Sequence, residues 1–217
     1  MSTSHLAIIV PAYNPPKGWS QALLQQWNAL SPFLYNMKVT FVLVNDGSVK
    51  PEFEEEVEQI EALLPFTIVH RFDSNQGKGA ALRKGMSSIT ADYYLITDID
   101  FPYTTDSMLI IFTELIKPKG SDISAGNRSA AYYEKVPGFR AVLSRSLRSL
   151  IRRRLKLPFD DTQCGLKAMN EKGKQVFLST KTNRYLYDLE FIVKASSNPS
   201  LKIKPVAVEL RDGIVMR

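Results

Sequence analysis

Asp98 and Asp100 stand two residues apart, just past the apolar run Tyr93-Tyr94-Leu95-Ile96. Side chains at i and i+2 of an extended segment share a face, so both carboxylates are expected to converge while Ile99 turns back into the core. Such a pair repels itself unless a cation lies between. A divalent ion shared with phosphate oxygens answers the repulsion, because hard cations such as Mg²⁺ take few carboxylates and keep phosphate oxygens as partners. The bland alternative is a pair of turn or capping carboxylates at a strand end.

Three more polar clusters follow apolar runs. Ala12-Tyr13-Asn14 comes after Leu6–Val10, Asn45-Asp46-Gly47-Ser48 after Val39–Val44, and Asn75-Gln76-Gly77-Lys78-Gly79 after Phe66–Val69. Their chemistry suits a nucleoside diphosphate: Asp46 accepts hydrogen bonds from a base or ribose, Tyr13 packs on a ring, and Gly77 and Gly79 admit close backbone approach where Lys78 offers charge. Each has a plainer reading, with Asp46 as an Asx-turn residue, Tyr13 as a core aromatic and the glycines as a helix entry. Residues 75–79 are not a Walker A loop, and no Gly-x-Gly-x-x-Gly follows the first strand, which disfavours a dinucleotide dehydrogenase.

The elements that must position these clusters alternate. Helical spacing covers Trp19–Leu30 after the breaker Pro15-Pro16-Lys17-Gly18, an acidic amphipathic helix covers Glu52–Leu64, and a third helix covers Gly79–Ile89; Tyr93–Thr97 is a fourth strand. Strands separated by such helices imply an α/β fold, a mostly parallel sheet covered on both faces. Ligands of such sheets bind beyond the carboxyl ends of the strands, where all four clusters fall.

The 217 residues suit one domain with a sizeable core. One cysteine, Cys164, excludes an internal disulfide framework, and two histidines, His5 and His70, disfavour a zinc site. No run approaches the roughly 20 apolar residues of a membrane span, and the N-terminus lacks signal-peptide regions, so the chain is expected to be soluble in a reducing compartment. Net charge is +6 but uneven: residues 1–119 carry −4 and residues 120–217 carry +10. Two working halves of a single domain, 1–119 and 120–217, follow as an expectation. A basic surface attracts nucleic acid, anionic lipid or a phosphorylated substrate; the aromatics of the basic half are not interleaved with its charge, which disfavours nucleic acid.

Between Pro137-Gly138 and Pro158, Leu143, Leu147, Leu150, Ile151 and Leu155 recur on one helical face, opposite Arg145, Arg148, Arg152 and Lys156. Such a helix either packs its apolar stripe on the sheet or lies on an anionic membrane surface. Arg153 and Arg154 interrupt the two-faced pattern, so both readings stay open.

Taken in order, Val10-Pro11-Ala12-Tyr13-Asn14, Val44-Asn45-Asp46-Gly47-Ser48, Asn75 through Gly85 and Asp98-x-Asp100 resemble the nucleotide-sugar half of family-2 glycosyltransferases, which have the GT-A fold. Asp161-Thr162-Gln163-Cys164-Gly165-Leu166-Lys167 and Arg184-Tyr185-Leu186-Tyr187-Asp188-Leu189-Glu190 resemble polyprenyl-phosphate glycosyltransferases, of the dolichyl-phosphate β-glucosyltransferase type. The resemblance implies that Asp46 contacts uracil or ribose, Asp98 the ribose or metal, and Asp100 a Mg²⁺ or Mn²⁺ ion on the diphosphate, with Pro11, Tyr13 and Lys78 lining the nucleotide pocket. Pro102 stands where related mannosyl transferases have a glutamine, which leaves coordination beyond Asp100 open. Arg128 matches an arginine near the phosphates, and Arg140 and Ser144, four apart on one helix face, resemble a pair that receives the lipid phosphate. A solvated surface charge is the alternative for each arginine. Asn127-Arg128-Ser129 also fits a glycosylation sequon, which a reducing compartment leaves unused.

The expected activity is inverting transfer of a hexose, with UDP-glucose favoured as donor, to a polyprenyl phosphate, by a peripheral protein at a membrane's cytoplasmic face. Two alternatives remain: transfer to a saccharide hydroxyl, which needs a general base with Asp161 the candidate, or a catalytically silent module that binds nucleotide or membrane. For Asp161 the plainer role is a turn carboxylate beside Asp160.

Overall fold

Residues 3–64, 66–128 and 161–212 are described by a computed structural model of the chain. Alternation in the first strand sets the architecture. In β1 (His5–Ala12), Leu6, Ile8 and Val10 enter one apolar cluster and Ala7 and Ile9 the other. A strand buried on both faces must lie inside the sheet. It pairs in parallel with β2 (Lys38–Asn45) on one side and β4 (Tyr93–Ile96) on the other. Outside β2 lies β3 (Thr67–Arg71), which begins one residue later than its apolar run suggests and continues to Arg71 because that residue still pairs with Asn45.

The sheet continues past β4 with strands from the basic half. Its order is β3-β2-β1-β4-β6-β5-β7, where β5 is Ile123–Arg128, β6 is Lys167–Asn170 and β7 is Ile203–Val208. Only β6 runs against its neighbours, β4 and β5; β5 and β7 are parallel. The expected α/β, mostly parallel sheet is therefore present.

Helices cover both faces. Against one lie α1 (Trp19–Leu30), α2 (Glu52–Leu63) and α4 (Thr105–Ile116), which bury Trp19, Leu23, Phe53, Val57, Ile111 and Phe112. Against the other lie α3 (Lys78–Ser87), α5 (Glu171–Leu178) and α6 (Tyr187–Ser196), with Leu82, Met86, Phe177 and Phe191. Burying each such large side chain contributes roughly 1.5–3 kcal/mol, so the two clusters fix where every strand end falls. No described helix is long and apolar enough to cross a membrane. The proposed basic helix between Pro137 and Pro158 lies outside the described residues, as do Arg140 and Ser144.

Candidate active site

A cleft of about 640 Å³ opens at the carboxyl ends of the parallel strands, and its walls include Pro11, Tyr13, Asp46, Lys78, Asp98 and Arg128. Six residues expected from sequence thus meet in one place. Asp100, half-buried, and Asp161, buried, are not among its lining residues.

The loops after β1 and β2 are tied to each other. Asp46 N–H donates to the Ala12 carbonyl at 2.7 Å, Asn14 N–H to Ser48 Oγ at 2.9 Å, and Val49 N–H to Asn14 Oδ1 at 3.2 Å. Asp46 itself is 2% exposed. Its Oδ1 accepts from Gln76 N–H at 2.7 Å, and its Oδ2 from Gly77 N–H at 2.9 Å and Asn75 Nδ2 at 3.0 Å. The carboxylate, expected to contact uracil or ribose, lines the cleft and holds the Asn75–Gly77 loop in place. Gly47 (φ 77°) belongs to the same arrangement, since a Cβ there would lie 2.5 Å from the Ser74 backbone.

The glycines at 77 and 79 make room for the backbone of residues 182–183. Added Cβ atoms would lie 2.5 Å from the Asn183 carbonyl oxygen and 2.6 Å from that of Thr182. Gly79 N–H donates to the Asn183 carbonyl at 2.7 Å. Close packing of residues 182–187 on the start of α3 brings Arg184, Tyr185, Tyr187 and Asp188 to the cleft wall.

Asp98 and Asp100 are not two steps along a strand. β4 stops at Ile96, and Phe101 N–H donates to the Asp98 carbonyl at 3.0 Å, closing a turn. Phe101 is fully buried with φ 44°, a left-handed backbone that a bulky residue adopts only when its surroundings impose it. The constraint comes from Arg211, whose Nε donates to the Phe101 carbonyl and whose Nη2 donates to the Asp100 carbonyl, both at 2.7 Å. The expected strand alternation therefore fails, and a turn braced from the far end of the chain sets the pair. Ile99 still packs on the core.

Charge organises what the turn presents. Lys78 Nζ forms an ion pair with Asp98 Oδ1. Burial alone would lower Lys78, but Asp98, Asp188 and Asp100 outweigh it and hold the ammonium above its ordinary pKa. Burial and the neighbouring Asp98 push Asp100 up, while Arg211 and Lys78 oppose the shift. Gly165 closes one side of this group: a Cβ there would lie 2.7 Å from Asp98 Oδ2 and 3.6 Å from Lys78 Nζ.

A second ion pair lies deeper. Arg128, at the end of β5, grips Asp161 with Nε at 2.6 Å from Oδ2 and Nη2 at 2.7 Å from Oδ1, and its backbone N–H donates to Oδ2 at 3.1 Å. Burial would raise Asp161; the guanidinium overrides it and holds the carboxyl below its usual value. A carboxylate with both oxygens engaged and its proton affinity lowered is a poor general base. Asp161 thus orients Arg128, an arrangement that favours a positioning role over that of the expected general base.

Behind both pairs, Lys167 is buried, bonding the Cys164 carbonyl and, at 2.7 Å, Asp188 Oδ1. Tyr103 Oη accepts from Gly165 N–H at 3.1 Å and from Cys164 Sγ at 3.2 Å. Sequence reasoning singled out none of Tyr103, Gly165, Lys167, Arg184, Asp188 or Arg211 as site residues. Four of them lie in the two runs 161–167 and 184–190; the other two carried no local signal.

Among the described residues, no group of three or more His, Cys, Asp or Glu side chains converges on a point that could hold a metal ion. Asp98 and Asp100 fit a hard divalent cation only as a partial set, one that water or ligand oxygens must complete.

Residues 7–174 match the glycosyl transferase family 2 domain. A dolichyl-phosphate beta-glucosyltransferase of Trichomonas vaginalis is 29% identical over 94% of this chain and 65% of its own length. The Saccharomyces cerevisiae dolichyl-phosphate beta-glucosyltransferase is 27% identical over 88% of this chain and 62% of its own. The chain thus spans somewhat less than two thirds of these two relatives. Among solved structures, glucosyl-3-phosphoglycerate synthase from Mycobacterium tuberculosis in complex with UDP superposes with a TM-score of 0.68 at 15% identity, covering 99% of this chain and 73% of that one. A Pyrobaculum calidifontis mannosyltransferase in complex with GDP-Man and Mn²⁺ superposes with a TM-score of 0.64 at 14% identity, over 95% and 56%. At these identities the structural likeness establishes the fold.

Proposed function

The chain belongs to glycosyl transferase family 2, and from that premise we propose that it transfers glucose from UDP-glucose to a dolichyl or related polyprenyl phosphate, with inversion at the anomeric carbon. One observation carries this reading. Lys78, Asp98, Arg128 and Arg184 share a single cleft at the strand ends, with Asp100 two residues on from Asp98 in a turn braced by Arg211. The names of the aligned relatives favour glucose and dolichyl phosphate, and the ligands of the structural neighbours favour a nucleotide with a divalent ion.

In this reading Tyr13 and Pro11 flank the uracil end, and Asp46 acts on the ribose end chiefly through the Asn75–Gly77 loop it anchors. Lys78 and Arg184 face the diphosphate. Asp98 and Asp100 would hold Mg²⁺ or Mn²⁺, which when bound neutralises charge on the departing diphosphate. The acceptor phosphate has a second pKa of roughly 6, so at neutral pH it is a ready nucleophile. Its oxygen forms a bond to the anomeric carbon as the bond to UDP breaks, and no proton need move. A saccharide hydroxyl would need a base, and its candidate, Asp161, is held by Arg128 through both oxygens, which supports the phosphate acceptor.

The Arg128–Asp161 pair carries little net charge, so the acceptor's dianion is left to Arg128's outward field, to Lys78 and Arg184, and to Arg140 and Ser144 of the segment outside the described residues. The basic stretch of that segment is the proposed contact with a membrane's cytoplasmic face. The test is UDP release from UDP-glucose with a short-chain polyprenyl phosphate present or absent. Release that depends on the lipid phosphate supports the reading; equal release with a free saccharide alone would overturn the acceptor.

A further inference from the structure

Resting on that reading of Asp98 and Asp100, we propose that Lys78 is a resident cation standing in for the divalent ion on Asp98, and that its transfer couples metal binding to nucleoside diphosphate binding. The geometry of one side chain leads there. Lys78 Nζ bonds Asp98 Oδ1, and both side chains line the cleft together with Asp188. The backbone at Gly165 walls off the pair on one side. On the other the pair faces the cleft, with both side chains 35% exposed. It is therefore held in place and still open to exchange.

A divalent ion arriving alone at Asp98 meets an ammonium already bonded there and is repelled by it. A diphosphate changes the balance, because its oxygens accept the ammonium and complete the metal's shell together. Lys78 then moves from carboxylate to phosphate as the metal takes the carboxylate. Each ligand removes an obstacle to the other, and linkage requires that the enhancement be the same in both directions. No bond is made or broken in the exchange.

The experiment is Mn²⁺ titration of the full chain by calorimetry and by Mn²⁺ electron paramagnetic resonance, with and without UDP, for the wild type, Lys78→Met and Lys78→Arg. In the wild type UDP should raise Mn²⁺ affinity by about 5–150-fold, the range of typical site coupling. Lys78→Met should bind Mn²⁺ at least about 5-fold more tightly than wild type without UDP, and should lose most of the UDP enhancement. Lys78→Arg keeps the charge and should keep the coupling. Unchanged or weaker Mn²⁺ binding by Lys78→Met without UDP overturns the proposal while leaving the metal site intact. Absence of Mn²⁺ binding by the wild type even with UDP would instead bring down the metal reading itself, and this proposal with it. If Lys78→Met fails to melt cooperatively, Lys78→Gln provides the same reading; loss of fold in both would make Lys78 a structural partner and overturn the inference.

Discussion

Two ion pairs in this cleft use the same chemistry for opposite ends. Arg128–Asp161 is a two-point fork with side chains 13% and 2% exposed, reinforced by a backbone N–H to the same carboxylate. Lys78–Asp98 is a one-point contact half open to the cleft. The planar guanidinium matches both carboxylate oxygens and fixes an angle, whereas an ammonium is a point charge that can be handed to another acceptor. One pair therefore builds the wall and the other is available to ligands. Burial and valence, rather than charge type, separate a structural pair from a working one.

The strongest way to break this comparison is at the buried pair. Removing one partner of a buried ion pair leaves an uncompensated charge and costs about 3–5 kcal/mol, so Asp161→Ala should destabilise the fold by that amount in urea unfolding, and Arg128→Ala comparably. The double variant should recover part of the loss. If Asp161→Ala instead leaves stability intact and abolishes only turnover, Asp161 is chemical after all, and a hydroxyl acceptor returns.

A smaller effect should follow at the exchangeable pair. Gly165→Ala places a Cβ 2.7 Å from Asp98 Oδ2. Gly165 is buried, but the carboxylate it would meet is partly exposed and can swing into the cleft, so the stability loss should be about 1 kcal/mol, the centre of single-substitution effects. Affinity for UDP in the presence of Mn²⁺ should drop by about tenfold, the order that roughly 1.4 kcal/mol of lost contact produces. Unfolding and nucleotide titration on one preparation check both halves; a large stability loss with normal UDP binding would mean that Gly165 serves packing alone.

The same contrast marks what could be read in the sequence. Apolar alternation in Leu6–Val10 and Val39–Val44 is a local signal, and it placed the strands and hence the rim. Asp98-x-Asp100 was found as a pair but for an incomplete reason, because the turn at Phe101 depends on Arg211, more than a hundred residues away. Gly77 and Gly79 signalled close approach, yet no local pattern could say that the approaching atoms belong to residues 182–187. Asp161 drew attention as an acid, but its partner at the end of β5 decides that it stays ionised and engaged. Residue type shows which chemistry is available; only tertiary neighbours decide which groups remain free to do it.

A third carboxylate sharpens the comparison with the smallest effect. Glu190, in the first turns of α6, accepts from Lys181 N–H at 3.0 Å and Thr182 N–H at 2.7 Å, fixing the loop that packs on Gly77 and Gly79. Burial opposes its charge, but these backbone donors with the Thr182 hydroxyl and Lys194 outweigh it and hold the pKa down to about 2, against an ordinary 4.5. A carboxyl depressed in the folded state contributes stability that is fully present above about 4.5 and lost as pH falls toward 2. Glu190→Gln should therefore cost about 1 kcal/mol near neutrality, the scale of a partly exposed hydrogen-bonded charge. The difference in melting temperature between wild type and Glu190→Gln should be flat from pH 8 to 5, then shrink as acid protonates the wild-type group. Asp161 and the other carboxylates titrate in both proteins and largely cancel. A difference that widens on acidification would mean that Glu190 is not the anchor of the loop, and that Arg184 and Tyr187 are brought to the cleft by packing on the glycines alone.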